Sequence, residues 1–482
     1  MNGDTPRHPN STVAPQDDYP REACGIVGIY SEGEDVARYA FFGLYALQHR
    51  GQESAGIASS TGDGINLRVS MGLVGQAFQE EDIARLPGHI AIGHTRYSTT
   101  GSSAINNAQP ICSVSAAVNL ALAHNGNVIN ALDLKQELSL WGCEFNGSND
   151  SEIIAHLLAN APGLNWQERI AYCMRRLQGA YSLTVMTPTE LLGIRDPLGV
   201  RPLCIGKLSN GWVLASESCA FDHIGAEFIR DVEPGEAVLI DADGIRTIYK
   251  RPPDNGRVSA GCVFEYIYFA RPDSVIEGRS VHSARAAMGA ALSNVDPIDA
   301  DLVIGVPDSA TAAAVGYSQE SGIPYAEGLV KNRYVGRTFI QPDQQLRDLG
   351  VRLKLNVLPE IIRGKRIVVV DDSIVRGTTT PHVVNLLRRG GASEVHLRIC
   401  APPIISTCHF GLTWRQKPEL IAANMTVDDI RDYVGADSLG FLSHEALVNA
   451  VGLQRNSLCM ACFTGDYPIP VQLEMDKLAL EV

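Results

Sequence analysis

Four consecutive β-branched residues, Ile367-Val368-Val369-Val370, run into two adjacent carboxylates, Asp371 and Asp372, and then into Ser373-Ile374-Val375-Arg376-Gly377-Thr378-Thr379-Thr380. An apolar run bounded in this way reads as a strand buried on both faces. In open α/β sheets, ligands bind just beyond such strand ends. The Gly-Thr-Thr-Thr turn opening the next helix offers backbone N–H groups, hydroxyls and the positive end of a helix dipole, which together hold a phosphate. Arg376 adds a fixed charge. No G-x-x-x-x-G-K-[ST] occurs, which disfavours a P-loop nucleotidase, and two carboxylates beside a phosphate cradle suit ribose hydroxyls or Mg²⁺. A capped helix after a core strand would explain the turn but not the two acids together.

Cys24, in Cys24-Gly25-Ile26-Val27-Gly28, would ordinarily be a small buried residue of a strand. Removal of residues 1–23 after Ala23 would change its chemistry. Thiol and α-amino group would then share one residue, and an amine of pKa about 7.7–8.0 can act as general base for its own nucleophile. Cys459-Met460-Ala461-Cys462 is a C-x-x-C. By itself it fits a redox pair, a zinc half-site or an iron–sulfur half-site, and a metal site needs two more thiolates.

These groups require two different frames. After a polar, proline-containing leader at 1–23, short alternating runs (GIVGIY, GHIAIGHTRYS, AAVNLALAHNG, AYSLTVMT, GWVLASES, EAVLIDADGIRTIY) with helical stretches near 36–50 and 150–177 predict antiparallel sheets with helices. KRPPDNGRV, at 250–258, has the composition of a boundary, placed near 257. Beyond it DLVIGVP leads into a helix, RIVVVDD into another, and EVHLRIC follows, an alternation that predicts a parallel sheet. The expected divisions are a propeptide at 1–23, domains at 24–257 and 258–470, and a tail at 471–482.

A chain of 482 residues has room for two or three cores. Its net charge of −14 argues against general nucleic-acid binding. Residues 331–376 depart from that balance with ten basic and five acidic side chains, a local surplus that favours an anion site. No run of 18 apolar residues suggests a membrane span. Eleven cysteines, an odd number, fit reduced thiols and a cytoplasmic location better than a disulfide framework.

The acid-pair loop resembles the signature of the phosphoribosyltransferases, in which it grips the 5-phosphate of phosphoribosyl pyrophosphate (PRPP). The resemblance implies PRPP contacts from Asp371, Asp372, Ser373, Arg376, Gly377, Thr378 and Thr379. Val306-Pro307-Asp308-Ser309-Ala310 resembles the family's pyrophosphate loop, with Ser309 helping Asp371 and Asp372 place Mg²⁺. Lys331 to Phe339, including Arg337, resembles a mobile lid.

The first half resembles the N-terminal-nucleophile, or class II, glutamine amidotransferases. The segments that carry this are Gln48-His49-Arg50-Gly51-Gln52-Glu53-Ser54-Ala55-Gly56-Ile57, Gly93-His94-Thr95-Arg96-Tyr97-Ser98-Thr99, His124-Asn125-Gly126 and Asp150-Ser151-Glu152. Free glutamine is zwitterionic, so Arg96 would receive its carboxylate and Asp150 its ammonium, unless the two simply pair with each other. Asn125 and Gly126 would supply oxyanion donors to the Cys24 reaction, presented by an Asn-Gly hairpin turn.

Together the halves resemble the [4Fe-4S] branch of the amidophosphoribosyltransferases. That resemblance adds Cys262 and Cys408 to Cys459 and Cys462 as cluster ligands, with Cys400 a competitor for Cys408 and zinc an alternative occupant. It also implies homotetramers inhibited by purine nucleotides. Another class II amidotransferase would lack the acid-pair loop, and a non-catalytic PRPP-binding or iron–sulfur regulator would lose Cys24 or its oxyanion donors.

Overall fold

Both faces of the strand Gly25–Ser31 are buried, and its alternation supplies two layers: Ile26 and Tyr30 enter one apolar cluster, Val27 and Ile29 another. The computed structural model describes residues 24–97, 101–115, 118–251, 259–295, 297–332, 355–412, 417–471 and 480. The leader, Ser98 and Thr99, the boundary near 257, the lid from Arg333 onward with Arg337, and most of the tail lie outside the described residues.

Gly25–Ser31 is central to a seven-stranded antiparallel sheet, between Gly211–Ala215 and Ile90–Arg96. Ser54–Ser60 and Asn66–Met71 extend one side, Cys204–Leu208 and Glu227–Asp231 the other. A six-stranded antiparallel sheet runs from Gly244–Lys250 through Glu236–Asp241, Leu191–Arg195, Gly179–Met186 and Asn119–Val128 to Ile111–Val114. The layer between them holds Ile26, Ile92, Ala121, Ala123, Met186 and Leu214. Helices cover both outer faces: Val36–Ala46 and Cys219–Ile224 pack on the first sheet, and Ala131–Leu140, Asp150–Asn160 and Trp166–Arg176 on the second. The result is a four-layer α+β sandwich.

Two sequence expectations change here. The helical stretch expected over 150–177 is two helices, because Pro162 and Gly163 interrupt it. Asn125-Gly126 is not a hairpin turn. It lies inside the ten-residue strand Asn119–Val128, opposite Ser182 and Tyr181. Glycine is required there by close approach, since an added Cβ would meet the Ala180 carbonyl oxygen at 2.0 Å.

In the second half Leu302–Gly305, Arg366–Asp371, Glu394–Ile399 and Ser438–Phe441 form a parallel sheet in that order. Val368 and Val370 face a core built with helices Val281–Val295, Thr311–Ser321 and His444–Val451. Ile367 and Val369 face one built with Thr380–Arg389 and Val427–Val434. Burial on both sides is why the run is uniformly apolar. The halves are stitched by main chain, Ala260 donating to the Leu198 carbonyl at 2.7 Å and Cys262 to that of Val200 at 3.0 Å. Among the described residues no helix is long and apolar enough to cross a membrane.

Helices Val281–Val295 and Thr311–Ser321 meet backbone to backbone at two glycines: a Cβ on Gly289 would lie 1.7 Å from the Ala313 oxygen, and one on Gly316 2.0 Å from the Ala286 oxygen. Glycine to alanine in a helix normally gains about 0.5–1 kcal/mol. Here the clash outweighs that gain. Gly289→Ala should destabilise this half by about 3 kcal/mol, measured by urea unfolding, whereas an unchanged or higher midpoint would show that the helices are free to separate.

Candidate active sites

Cys24 emerges at the start of the central strand, where the antiparallel register Gly25↔Thr95 brings Arg96 and Tyr97 alongside it. Its thiol donates to the Tyr97 carbonyl at 3.3 Å. Burial pushes the thiol up to about 11, against a smaller opposing pull from the Tyr97 backbone and Arg96. A thiol so placed needs a base before it can attack. A small pocket opens beside it, lined by Cys24, Arg96, Tyr97, Gln109, His124, Gly126, Asn149, Asp150 and Ser151.

The pocket is built from both sheets and one helix start. Asn149 caps the helix Asp150–Asn160 by accepting from the Glu152 N–H at 2.8 Å, which sets Asp150 in the first turn, where the helix dipole favours a carboxylate. One Asp150 oxygen accepts from Val128 N–H at 2.9 Å, and the other lies 3.7 Å from His124 Nδ1. Arg96 donates to the Ser102 carbonyl at 3.1 Å and lies 3.6 Å from Glu53. Among the described residues, Arg96 is thus paired with Glu53, and Asp150 lies beside His124. Both side-chain polar atoms of Asn125 are buried without a partner. An orphaned amide costs stability, and one on the strand beside Gly126 is suited to receive developing negative charge.

In the parallel sheet the two phosphate-type loops converge. Ser309 Oγ donates to Asp372, and Ser373 Oγ donates to the other Asp372 oxygen at 2.6 Å. Asp371 Oδ1 accepts from the Asp372 N–H at 2.9 Å. Burial raises Asp372 above the usual carboxylate range, opposed by the two serine hydroxyls and by Arg285. An oxygen-rich pair of carboxylates with a hydroxyl at hand suits Mg²⁺, a hard cation. Gly377 is left-handed at φ +73°, Thr378 is exposed, and Thr379 sits at the N-cap of helix Thr380–Arg389, with Pro381 in its first turn. Lys331 is paired with Asp308 at 3.0 Å. Arg376, expected as a bare charge for phosphate, is paired with Glu419 at 2.8 Å.

The four cysteines of the implied cluster gather where the halves meet. Cys262 and Cys459 are register partners on two short parallel strands. Burial raises the thiols of Cys262 and Cys462, and the neighbouring cysteines add to it, Cys459 and Cys408 for the first and Cys459, Cys262 and Cys408 for the second. Apolar residues Val200, Ala260, Phe410 and Ala461 surround them. Among the described residues no three His, Cys, Asp or Glu side chains are close enough to hold one metal ion. Cys400 lies elsewhere: its N–H donates to the Asp371 carbonyl at 2.9 Å, and burial beside Asp372 and Asp371 raises its thiol.

Sequence reasoning missed several charged residues between these sites. Arg50, Arg201, Glu217, Glu265 and Arg285 carry no role in the sequence reading. All five are buried.

A glutamine amidotransferase domain family matches residues 94–223 and a phosphoribosyl transferase domain family residues 279–401. An amidophosphoribosyltransferase of Synechococcus elongatus is 50% identical over 96% of this chain and 95% of its own length. One from Archaeoglobus fulgidus is 49% identical over 93% and 98%. The solved glutamine PRPP amidotransferase of B. subtilis, complexed with ADP and GMP, is 44% identical, superposes with a TM-score of 0.88, and covers 95% of this chain and 100% of its own.

Two histidines beneath the glutamine-type pocket carry a pH consequence. His94, bonded to the His124 carbonyl at 3.1 Å, is lowered to about 3 by burial, and burial lowers His124 as well. The unfolded chain therefore binds protons below about pH 6.5 that the folded chain refuses, so stability falls as pH drops from 6.5 toward 3. His94 alone should account for about 2 kcal/mol lost between pH 8 and pH 5. Urea unfolding at the two pH values checks this: His94→Gln should shrink the difference by that amount, and a difference equal to wild type would place its origin elsewhere.

Proposed function

The chain belongs to the amidophosphoribosyltransferase family, and from that premise we infer how its residues divide the reaction. The enzyme hydrolyses glutamine to glutamate and ammonia, and the ammonia displaces pyrophosphate from PRPP to give 5-phosphoribosylamine, the first step of de novo purine biosynthesis.

Cys24 is the glutaminase nucleophile, and the observation that carries this is its thiol at the floor of the pocket that Arg96, Gly126 and Asp150 share. With the thiol pushed up to about 11, a base is required, and the α-amine released by cleavage after Ala23 is the one covalently at hand. The amine takes the thiol proton as sulfur attacks the carboxamide, then returns it to the departing ammonia. Asn125 Nδ2–H and the Gly126 N–H stabilise the oxyanion. Arg96 and Asp150 hold the glutamine carboxylate and ammonium. Water hydrolyses the resulting thioester.

In the second half Asp371 and Asp372 receive the ribose hydroxyls, and the Ser373–Thr379 loop receives the 5-phosphate through its N–H groups and hydroxyls. Mg²⁺, held by Ser309, Asp371 and Asp372, would neutralise pyrophosphate charge. Lys331, and by the family resemblance Arg337, which lies outside the described residues, would contact the pyrophosphate. Arg376, whose Nη2 is paired with Glu419, would add positive charge beside the 5-phosphate. Cys262, Cys408, Cys459 and Cys462 would hold a [4Fe-4S] cluster whose role is structural. Inhibition by purine nucleotides, a homotetramer and a cytoplasmic location complete the proposal; the B. subtilis relative was solved with ADP and GMP.

The two sites should separate by mutation. Cys24→Ser should lower glutamine-dependent synthesis by roughly 1,000-fold, because a hydroxyl is a far weaker nucleophile than a thiol, and leave ammonia-dependent synthesis intact. Asp371→Asn should abolish both syntheses and spare basal glutamine hydrolysis. Loss of both activities in folded Cys24→Ser would make that residue structural.

Protein purified anaerobically should be brown and carry about four irons and four sulfides per chain. Cys408→Ser should lose them while Cys400→Ser keeps them. Colourless protein with stoichiometric zinc and full activity would overturn the cluster.

A further inference from the structure

Arg50 belongs to a motif for which the glutamine chemistry above has no use. Its side chain is 1% exposed, and its Nε–H donates to the carbonyl of Cys24 at 3.2 Å. The other two arms of the guanidinium are held from elsewhere. Nη2 meets Glu265 Oε1 at 2.7 Å and Nη1 meets Glu265 Oε2 at 3.1 Å, a two-pronged pairing, while Nη1 also reaches Glu217.

We propose that Glu265, a residue of the phosphoribosyl half, is a positioning residue for the glutamine reaction, acting through Arg50 on the main chain of Cys24. The proposal rests on the reading of Cys24 as nucleophile. A guanidinium is planar and rigid, so a carboxylate that grips two of its nitrogens sets the direction of the third N–H. Glu217 is less suited to that task. It is shared among His49, the Arg271 N–H at 2.8 Å and the Ser274 hydroxyl at 2.6 Å, and contacts Arg50 through one oxygen. Glu265 also pairs with Arg201 at 3.1 Å, which in turn donates to the Phe410 carbonyl.

The backbone that carries Glu265 is itself unusual. Residues Glu265–Phe269 form a π-helical turn, a rare geometry that concentrates at functional sites. The Tyr266 carbonyl within it and the Ala270 carbonyl just after it accept from Arg285 Nε and Nη2, each at 2.8 Å. Burial lowers Arg285, and the nearby carboxylate of Asp372 opposes that shift. One turn of chain therefore lies between an arginine directed to the nucleophile and an arginine near Asp372.

Kinetics of Glu265→Gln test the assignment. With the grip weakened, glutamine-dependent kcat should fall about 10- to 100-fold, the scale of a small misplacement of reacting groups. KM for glutamine should stay within about twofold, because Arg96 and Asp150 are untouched, and ammonia-dependent synthesis should stay at the wild-type rate. Inactivation of Cys24 by a diazoketone analogue of glutamine should slow by the same factor as kcat. If Glu265 acts through Arg50, the double variant with Arg50→Lys should be no slower than the worse single variant. Should Glu265→Gln not fold, Glu265→Asp, which keeps the charge but draws it back by one methylene, is read in the same way. A kcat equal to wild type, multiplicative effects in the double variant, or a parallel loss of ammonia-dependent synthesis would overturn the proposal. Failure of wild-type protein to use glutamine at all would instead overturn the reading of Cys24.

Discussion

Two guanidinium groups and two carboxylates, Arg50, Arg201, Glu217 and Glu265, are packed out of water where the two halves of the chain meet, none more than 2% exposed at the side chain. Each such charge alone would cost several kcal/mol to bury, and only mutual pairing with further hydrogen bonds offsets that cost. Arg50 and Arg201 therefore need Glu265 from beyond the boundary, and Glu217 meets the Arg271 N–H and the Ser274 hydroxyl there as well. Separating the halves would strand ions in apolar surroundings. The interface is thus a fixed hinge-point for everything attached to it, including the carbonyl of Cys24.

The sandwich explains why a nucleophile sits so near that interface. A strand central to one sheet and buried on both faces can expose reactive atoms only where it ends, and Cys24 is that end. The neighbouring strand runs antiparallel, so its C-terminal residues, Arg96 and Tyr97, arrive at the same level. Asn125 and Gly126 come from the opposing sheet, their strand continuing to Asn127, whose amide donates to the His409 carbonyl of the second half at 2.9 Å. Both sheets therefore deliver chemistry to one edge of the sandwich, and that edge faces the partner half.

What could be read from the sequence was local. Cys24, Arg96, Asp150, Asp371, Asp372 and Ser309 each lie in a short segment that suggests a ligand, and the structure brings the first three onto one pocket and the last three onto one pair of loops. The alternation of GIVGIY and the uniform apolar run of IVVV were legible because burial on one or two faces leaves a pattern. Asn66–Met71 and Glu227–Asp231 were not, since edge strands with one exposed face and few apolar residues leave almost none. Asn125-Gly126 misled because a dipeptide common in turns served close strand approach instead. Arg50 was invisible as a buried ion: its partners Glu217 and Glu265 lie 167 and 215 residues away, and no spacing rule reaches that far. Arg285 sits in a helix whose sequence gives it the look of a surface arginine, and only the turn at Glu265–Phe269 makes it a buried one.

The cysteine segments take on a mechanical meaning from the same arrangement. Cys408 leads directly into His409, Phe410 and Gly411, which supply the carbonyl for Asn127, the carbonyl for Arg201 and a backbone so close that a Cβ on Gly411 would lie 3.4 Å from the Gly126 carbonyl. Cys262 follows Ala260, which is bonded to Leu198, and precedes Glu265 by less than one helical turn. The proposed cluster on Cys262, Cys408, Cys459 and Cys462 would therefore fix both the loop behind the strand Asn119–Val128 and the origin of the turn that bears Glu265. A covalent staple at that point would be redundant in a large hydrophobic core. Its use would lie in aim and not in burial: Val263, Phe264, Met460 and Phe463 already pack the joined segments into the core, and the side chains those segments carry must keep their aim to within a fraction of an ångström.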